Sequence, residues 1–326
     1  MNKKDLFLLI LILAVGAVVA ILNPRFLLPV NIANTSNLVG LFGLSAIGQA
    51  FVIITGGIEL SVGSVIALVG VLFMDLIANE GVPWPLALVL MIVLGVLIGL
   101  AHGLLVTKLK LQPFIVTLCG LLVYRGIARF YTQDATVGFG FGQNFPALNW
   151  LTGGETLGVP HSFIAMMIVA AIMWVVLHRT VFGRHLYAVG KNEEAARFSG
   201  IRTDRVVIFA YIICQVLTVA AAVYFAMYTG SISPETQGNF YELYAIAAAV
   251  LGGFSLRGGE GSIVGVVLGV VLLQELQNLV NLLGIPSSLN FAVMGGVILI
   301  GVTVDQQLGR FRLRRRETET ARVVAP

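Results

Sequence analysis

Charge is scarce in this chain. Only 11% of its 326 residues are Asp, Glu, Lys or Arg, against about a quarter in an ordinary soluble domain. Apolar residues make up 58%, and the mean hydropathy is +0.95. That imbalance excludes a water-soluble enzyme, a disordered segment and a nucleic-acid-binding domain, so no nucleic acid is expected as a partner. Cysteine and histidine are also few, with two and four residues. Cys119 and Cys214 each stand alone inside an apolar run, which excludes a disulfide framework and a CxxC metal site. His102, His161, His178 and His185 form no HExxH or comparable metal spacing. The chain has no Gly-x-Ser-x-Gly elbow and no GxxxxGK[ST] phosphate loop. It is therefore read as a non-enzyme, with no catalytic residue, metal site or cofactor expected.

What is present is length in apolar runs. A helix needs about 20 mostly apolar residues to cross the roughly 30 Å hydrocarbon core. Ten stretches qualify or nearly qualify: 6–22, 34–55, 64–78, 86–107, 113–130, 161–177, 206–229, 242–255, 262–283 and 289–304. Nothing alternates with period two as a barrel strand would. The expected fold is all-α, a polytopic integral membrane bundle of about ten helices forming one domain over 1–326. Two stretches, 64–78 and 242–255, are short, and each adjoins a Gly-rich interruption. Lys3 and Lys4 before an apolar run resemble a secretory signal. Nine further runs follow, so this one is read as the first span.

Basic residues set the orientation. With the N-terminus inside and ten alternating spans, every Lys and Arg except Arg25, Arg125 and Arg129 falls on the inner side. The reverse arrangement opposes the positive-inside rule. Both termini are therefore expected in the cytoplasm. A glycine-rich loop over about 131–160 then lies outside. A basic tail over about 305–326, with Arg310, Arg312 and Arg314–Arg316, is suited to anionic lipid headgroups.

The long inner loop, about 178–205, contains a short capped helix. Asn192 suits an N-cap, Glu193 and Glu194 fall in the first turn, and Gly200 suits a stop. A helix of about two turns is unstable alone and must pack on its own bundle or on another protein.

Two breaks share a spelling, GG-x-x-L ending in Gly-Ser. The first carries Gly56, Gly57, Glu59, Ser61 and Gly63; the second carries Gly252, Gly253, Gly258 and Gly259. Each glycine disfavours continuous helix by about 1 kcal/mol relative to Ala. A carboxylate such as Glu59 costs about 2.5–3.5 kcal/mol at a membrane helix centre. It must meet backbone N–H groups, a basic residue or water, either to pin a bent helix or to serve transport. Gln274, Asn278 and Asn281 share one helix face. That face either lines a polar conduit or bonds between helices. Thr117, Tyr124 and Arg125 in the fifth span, and Gln215 and Thr218 in the seventh, are further polar groups of the same kind.

Four segments together resemble the permease subunits of bacterial ABC importers for simple sugars, the ribose/xylose/arabinose/galactoside group. They are Phe51–Ser64 (FVIITGGIELSVGS), Gly99–Leu118 (GLAHGLLVTKLKLQPFIVTL), Phe182–Ile201 (FGRHLYAVGKNEEAARFSGI) and, more loosely, Gly252–Gly265. They run in the expected order across nearly the whole chain. The chain departs from the usual pattern at Glu59 (usually Asp), His102 (often Asn), Lys191 (often Gly) and Phe254 (often Thr).

The resemblance implies a subunit that forms the membrane path for a monosaccharide, a pentose or hexose such as ribose, across the bacterial inner membrane. It implies a second permease copy, identical or paralogous, and a periplasmic sugar-binding protein outside. A cytoplasmic ABC ATPase would dock on Gly190, Asn192, Glu193, Glu194, Ala195, Arg197 and Gly200. By the physics of breaks and buried polar groups alone, an ion-gradient-driven secondary transporter of a small polar solute fits equally well.

Overall fold

The computed structural model describes residues 3–140 and 143–286, with isolated positions between 289 and 299. Most of the expected 289–304 span, and the whole Arg310–Arg316 run, lie outside the described residues. Among the described residues, seven helices are long and apolar enough to cross a membrane. They are α1 (Lys3–Leu22), α2 (Pro29–Ile53), α4 (Trp84–Thr107), α5 (Pro113–Thr132), α7 (His161–Arg179), α10 (Thr203–Thr229) and α12 (Ile263–Leu282). Two shorter apolar helices accompany the breaks, α3 (Val62–Ala78) after the first and α11 (Tyr241–Leu251) before the second. Nine of the ten expected stretches are thus helical, and the architecture is the polytopic bundle that the apolar runs predict. The short pair is short because Gly-rich backbone takes up part of each crossing.

Burial separates centre from rim. α2 and α10 are 83% and 67% buried across their apolar windows, whereas α1 and α5 are 22% buried. The outer helices are apolar because lipid, not protein, covers them. The centre is held by close backbone approach. Gly95, Gly99 and Gly103 recur every four residues along α4, and a Cβ on Gly99 would lie 2.6 Å from Ile212 Cα of α10. Without a hydrophobic drive between helices in lipid, such small-residue stripes let van der Waals packing hold them together.

Both stretches read as loops contain more structure than expected. The 131–160 segment holds α6 (Pro146–Gly153) and two two-residue ladders, one pairing Val137 with Ile232 and the other Glu155 with Pro160. The 178–205 segment holds two helices, α8 (Val181–Lys191) and α9 (Glu193–Phe198). Thr180 caps α8 by accepting from Gly183 N–H at 3.2 Å, and Leu186 and Val189 are buried beneath it. The two glycines in α8 concealed it in the sequence. They are needed because the helix presses on backbone: a Cβ on Gly183 would meet Leu177 O at 1.9 Å.

The connections sort to two ends. At one end the Gly259 N–H donates to Ile54 O (2.8 Å), Lys191 pairs with Glu260 (2.6 Å) and Lys108 with Asp204 (2.7 Å). This end gathers both Gly-rich breaks, the 108–112 turn and the 178–205 segment. At the other end Gln143 donates to Ala78 O at 2.6 Å, and Val137 pairs with Ile232. The 108–112, 178–205 and 252–262 segments, which charge counting puts on one side, do share one side, and the basic tail lies outside the described residues.

Candidate site at the glycine-rich breaks

Helix α2 ends where Thr55 and two glycines follow. The Thr55 hydroxyl donates to Val52 O at 2.7 Å, and Gly56 adopts a left-handed φ of +82°. The chain then runs as irregular backbone to α3. Irregular backbone at membrane depth must be satisfied by protein, and here it is. The Gln49 carboxamide, oriented to suit its neighbours, donates to Glu59 O and accepts from Glu59 N–H, both at 3.2 Å. Thr117 of α5 donates its hydroxyl to Ile58 O at 3.1 Å.

Glu59 is 0% exposed and takes both courses open to it in sequence. Its Oε1 accepts from the Ser61 N–H at 2.8 Å and the Ser61 hydroxyl at 2.6 Å. Its Oε2 lies 2.8 Å from Nδ1 of His102, which is 2% exposed. Nε2 of His102 lies 2.9 Å from the Tyr124 hydroxyl. With the carboxylate ionised, Nδ1 must carry a proton, and in the neutral ring Nε2 then accepts from Tyr124. Gln215 of α10 donates to the Ser61 hydroxyl at 3.3 Å. The buried Tyr211 hydroxyl stands against Gly57, where a Cβ would come within 2.9 Å of it. Neither that hydroxyl nor Gln215 Oε1 has a hydrogen-bond partner among the described residues.

Four helices and the break therefore meet in one buried polar cluster. Thr117, Tyr124 and Gln215, weak signals in sequence, reach it. Thr218 turns back on its own helix to Cys214 O, and Arg125, one residue beyond Tyr124, donates instead to Pro234 O and Gln237 O at 2.9 and 2.7 Å. Gln49 and Tyr211 gave no sequence signal. His102 stood out only as a departure from the usual pattern and Glu59 also as a carboxylate in an apolar stretch, and they prove to touch each other.

The second break lies directly below. Gly253, Gly258 and Gly259 all have left-handed φ, at +91°, +84° and +71°. Gly252 packs on Gly265 of α12, and Gly63 on the Gly238 backbone ahead of α11. The two breaks are joined by the Gly259–Ile54 hydrogen bond. Gly190, at the end of α8, fills the remaining space, since a Cβ there would lie 1.8 Å from Ile54 O and 2.4 Å from Gly259 N.

α9 projects from that contact. Asn192 Oδ1 accepts from the Ala195 N–H at 2.9 Å, and Arg197 pairs with Glu193 at 2.7 Å. Gly200, with φ +82°, ends the segment. Glu194 and Ala195 are exposed, and Phe198 is 92% exposed. Nearby, the Lys191 ammonium holds the Glu260 carboxyl below the usual carboxylate range.

The α12 stripe lies apart. Gln274 is buried, and Asn278 exchanges hydrogen bonds of 2.8 and 3.1 Å with Asn31 of α2. Asn281 is exposed. Among the described residues, no hydrogen bond joins these to the Glu59 cluster. No group of three or more His, Cys, Asp or Glu suited to a metal occurs among the described residues.

Long apolar helices, irregular backbone sealed by protein and a buried ionisable pair beside it define a polytopic membrane protein of the transporter type. The sequence profile of the family described as branched-chain amino acid transport system / permease component matches residues 31–302. The chain belongs to that permease family, as the four segments implied. It is similar to the Ribose import permease protein RbsC of Bacillus subtilis (strain 168), 44% identical over 307 residues covering 94% of each chain. It is 39% identical to the protein of the same name in Escherichia coli (strain K12), again over 94% of each chain. The Fructose import permease protein FrcC of Rhizobium meliloti is 32% identical over 92% of this chain and 84% of its own. No solved structure matches the chain.

Proposed function

We propose that this permease is the membrane subunit of an ATP-driven ABC importer and carries a monosaccharide, ribose being the first choice, into the cell. The relatives named for ribose and fructose import support the substrate class. One observation supports the mechanism: the backbone of Gly190 seats between Ile54 and Gly259, so α9 and both breaks share one packed contact. A cytoplasmic ATPase gripping α9 would push on both breaks at once. The Glu59 cluster ties the first break to α4, α5 and α10, so a shift there moves those helices together. ATP binding drives the change only if the ATPase has different affinity for the two states. A periplasmic binding protein would deliver the sugar to the end that holds α6, and a second permease copy, identical or paralogous, would complete the path. In this reading Gln274, Asn278 and Asn281 approach that path and both termini are cytoplasmic.

The test is reconstitution in liposomes with the ATPase and binding protein that co-purify from native membranes. Ribose-stimulated ATP hydrolysis with ribose uptake is expected, and the Glu193→Arg/Glu194→Arg variant should lose both while remaining in the membrane. Uptake by the permease alone, driven by an ion gradient, would overturn the reading in favour of a secondary carrier. Undiminished coupling in the charge-reversed variant would overturn the assignment of α9.

A further inference from the structure

A cavity of about 480 Å³ lies outside the break site, where α8 passes the start of α10. Phe182, His185, Arg202, Arg205, Val206 and Phe209 line it. Arg202, Arg205 and Phe209 are spaced three and four residues apart and share one face at the start of α10. Phe209 is 54% exposed on a helix long enough to cross the membrane, and the Phe182 ring meets it edge-on at 6.3 Å. The cavity is therefore basic at one end and aromatic at the other.

Its cations are uncommitted. Asp204 is held by Lys108 at 2.7 Å, with Lys110 and Arg197 at 3.7 and 3.8 Å, and Glu193 is held by Arg197 at 2.7 Å. No carboxylate lies within ion-pair distance of Arg202 or Arg205 among the described residues. Two guanidiniums open to one cavity are matched to a phosphate diester, which they can grip through planar pairs of N–H groups. Phe209, exposed on α10, leaves the aromatic end open to an acyl chain. Basic pockets of this kind, at the inner ends of membrane helices, suit anionic headgroups.

We propose that this cavity is a binding site for one anionic phospholipid. Arg202 and Arg205 hold its phosphate, His185 stands beside the headgroup, and Phe182, Val206 and Phe209 seat the start of its acyl chains. Because α8 also carries Gly190, an occupied site would brace the helix that bears on both breaks.

The experiment is native mass spectrometry of the purified permease titrated with phosphatidylglycerol and, separately, phosphatidylcholine. Selective retention of phosphatidylglycerol is expected. The Arg202→Gln/Arg205→Gln variant should bind it about thirtyfold more weakly, roughly fivefold for each guanidinium near an anionic lipid surface. Arg184→Gln, an exposed neighbour outside the cavity, should change nothing. Arg202→Lys/Arg205→Lys keeps the charge, and partial recovery in it separates binding from misfolding. Equal retention of the two lipids, or equal loss in Arg184→Gln, would overturn the proposal. So would unchanged lipid retention with lost ATPase co-purification in the double Gln variant, because the guanidiniums would then belong to the partner protein.

Discussion

Replacing His102 with Ala removes one half of a pair whose other half, Glu59, has no exposure to solvent. With the ring neutral, the contact is a charge-assisted hydrogen bond, and leaving a buried carboxylate oxygen without its donor costs about 3 kcal/mol or more. The lower bound applies here, since the Ser61 N–H and hydroxyl still hold Oε1 at 2.8 and 2.6 Å. The Tyr124 hydroxyl also loses its partner at Nε2, which adds about 1 kcal/mol. The expected loss for His102→Ala is therefore about 4 kcal/mol. His102→Asn keeps an N–H donor for Oε2 but cannot also serve Tyr124, and should lose about 1–2 kcal/mol. Glu59→Gln removes the charge that His102→Ala strands. The double variant Glu59→Gln/His102→Ala should fall short of the sum of the single losses by at least about 2 kcal/mol. Reversible unfolding of the purified protein in mixed micelles with rising SDS, followed by tryptophan fluorescence, gives each value. A His102→Ala loss under about 1 kcal/mol, or strict additivity in the cycle, would refute the argument that the cluster is held by charge.

Three further outcomes follow from the same contacts. Gly190→Ala should destabilise by about 3 kcal/mol, the upper end for overpacking, because the new methyl meets backbone at 1.8 and 2.4 Å rather than a movable side chain; thermal unfolding by size-exclusion and sugar-stimulated ATP hydrolysis should fall together. Asn192→Ala removes the α9 cap, worth about 1 kcal/mol, so hydrogen exchange at the Ala195 amide should quicken about fivefold, with Asn192→Asp restoring it. The Lys191–Glu260 pair should show a pH signature. The Glu260 carboxyl titrates below its ordinary value in the folded state, so its contribution is present above the ordinary carboxylate range and is lost as pH falls through the lowered value. Both side chains are more than half exposed, so solvent screening keeps that contribution under about 1 kcal/mol, and Lys191→Ala should flatten the acid limb of stability only slightly.

Sequence reading found the helices more readily than the site. The apolar stretches appear because lipid imposes a minimum length, and the shortness of α3 and α11 was visible because glycines interrupt each neighbourhood, three in the first break and five in the second. The cap at Asn192 was legible because capping is local, needing only a side chain and an amide three residues on. α8 was not, since two glycines lower its helix propensity and their close approaches to Leu177 and Ile54 come only with packing. Of the cluster around Glu59, sequence offered the carboxylate and, faintly, Thr117, Tyr124 and Gln215. It offered no reason to join Gln49, His102 and Tyr211 to them, because those residues come from separate spans and meet only when the spans pack.

Length, apolarity and the placing of glycine and basic residues by themselves determined a membrane protein with two broken crossings and one crowded basic end. Each follows from how a short stretch of chain is solvated, a property carried by neighbours in sequence. Tertiary structure alone decided that Glu59 finds His102, that Gly190 bears on both breaks at once, and that Arg202 and Arg205 face an open cavity instead of a carboxylate. Those outcomes depend on which helix faces touch, and in lipid that choice rests on close packing and buried hydrogen bonds between residues far apart in the chain.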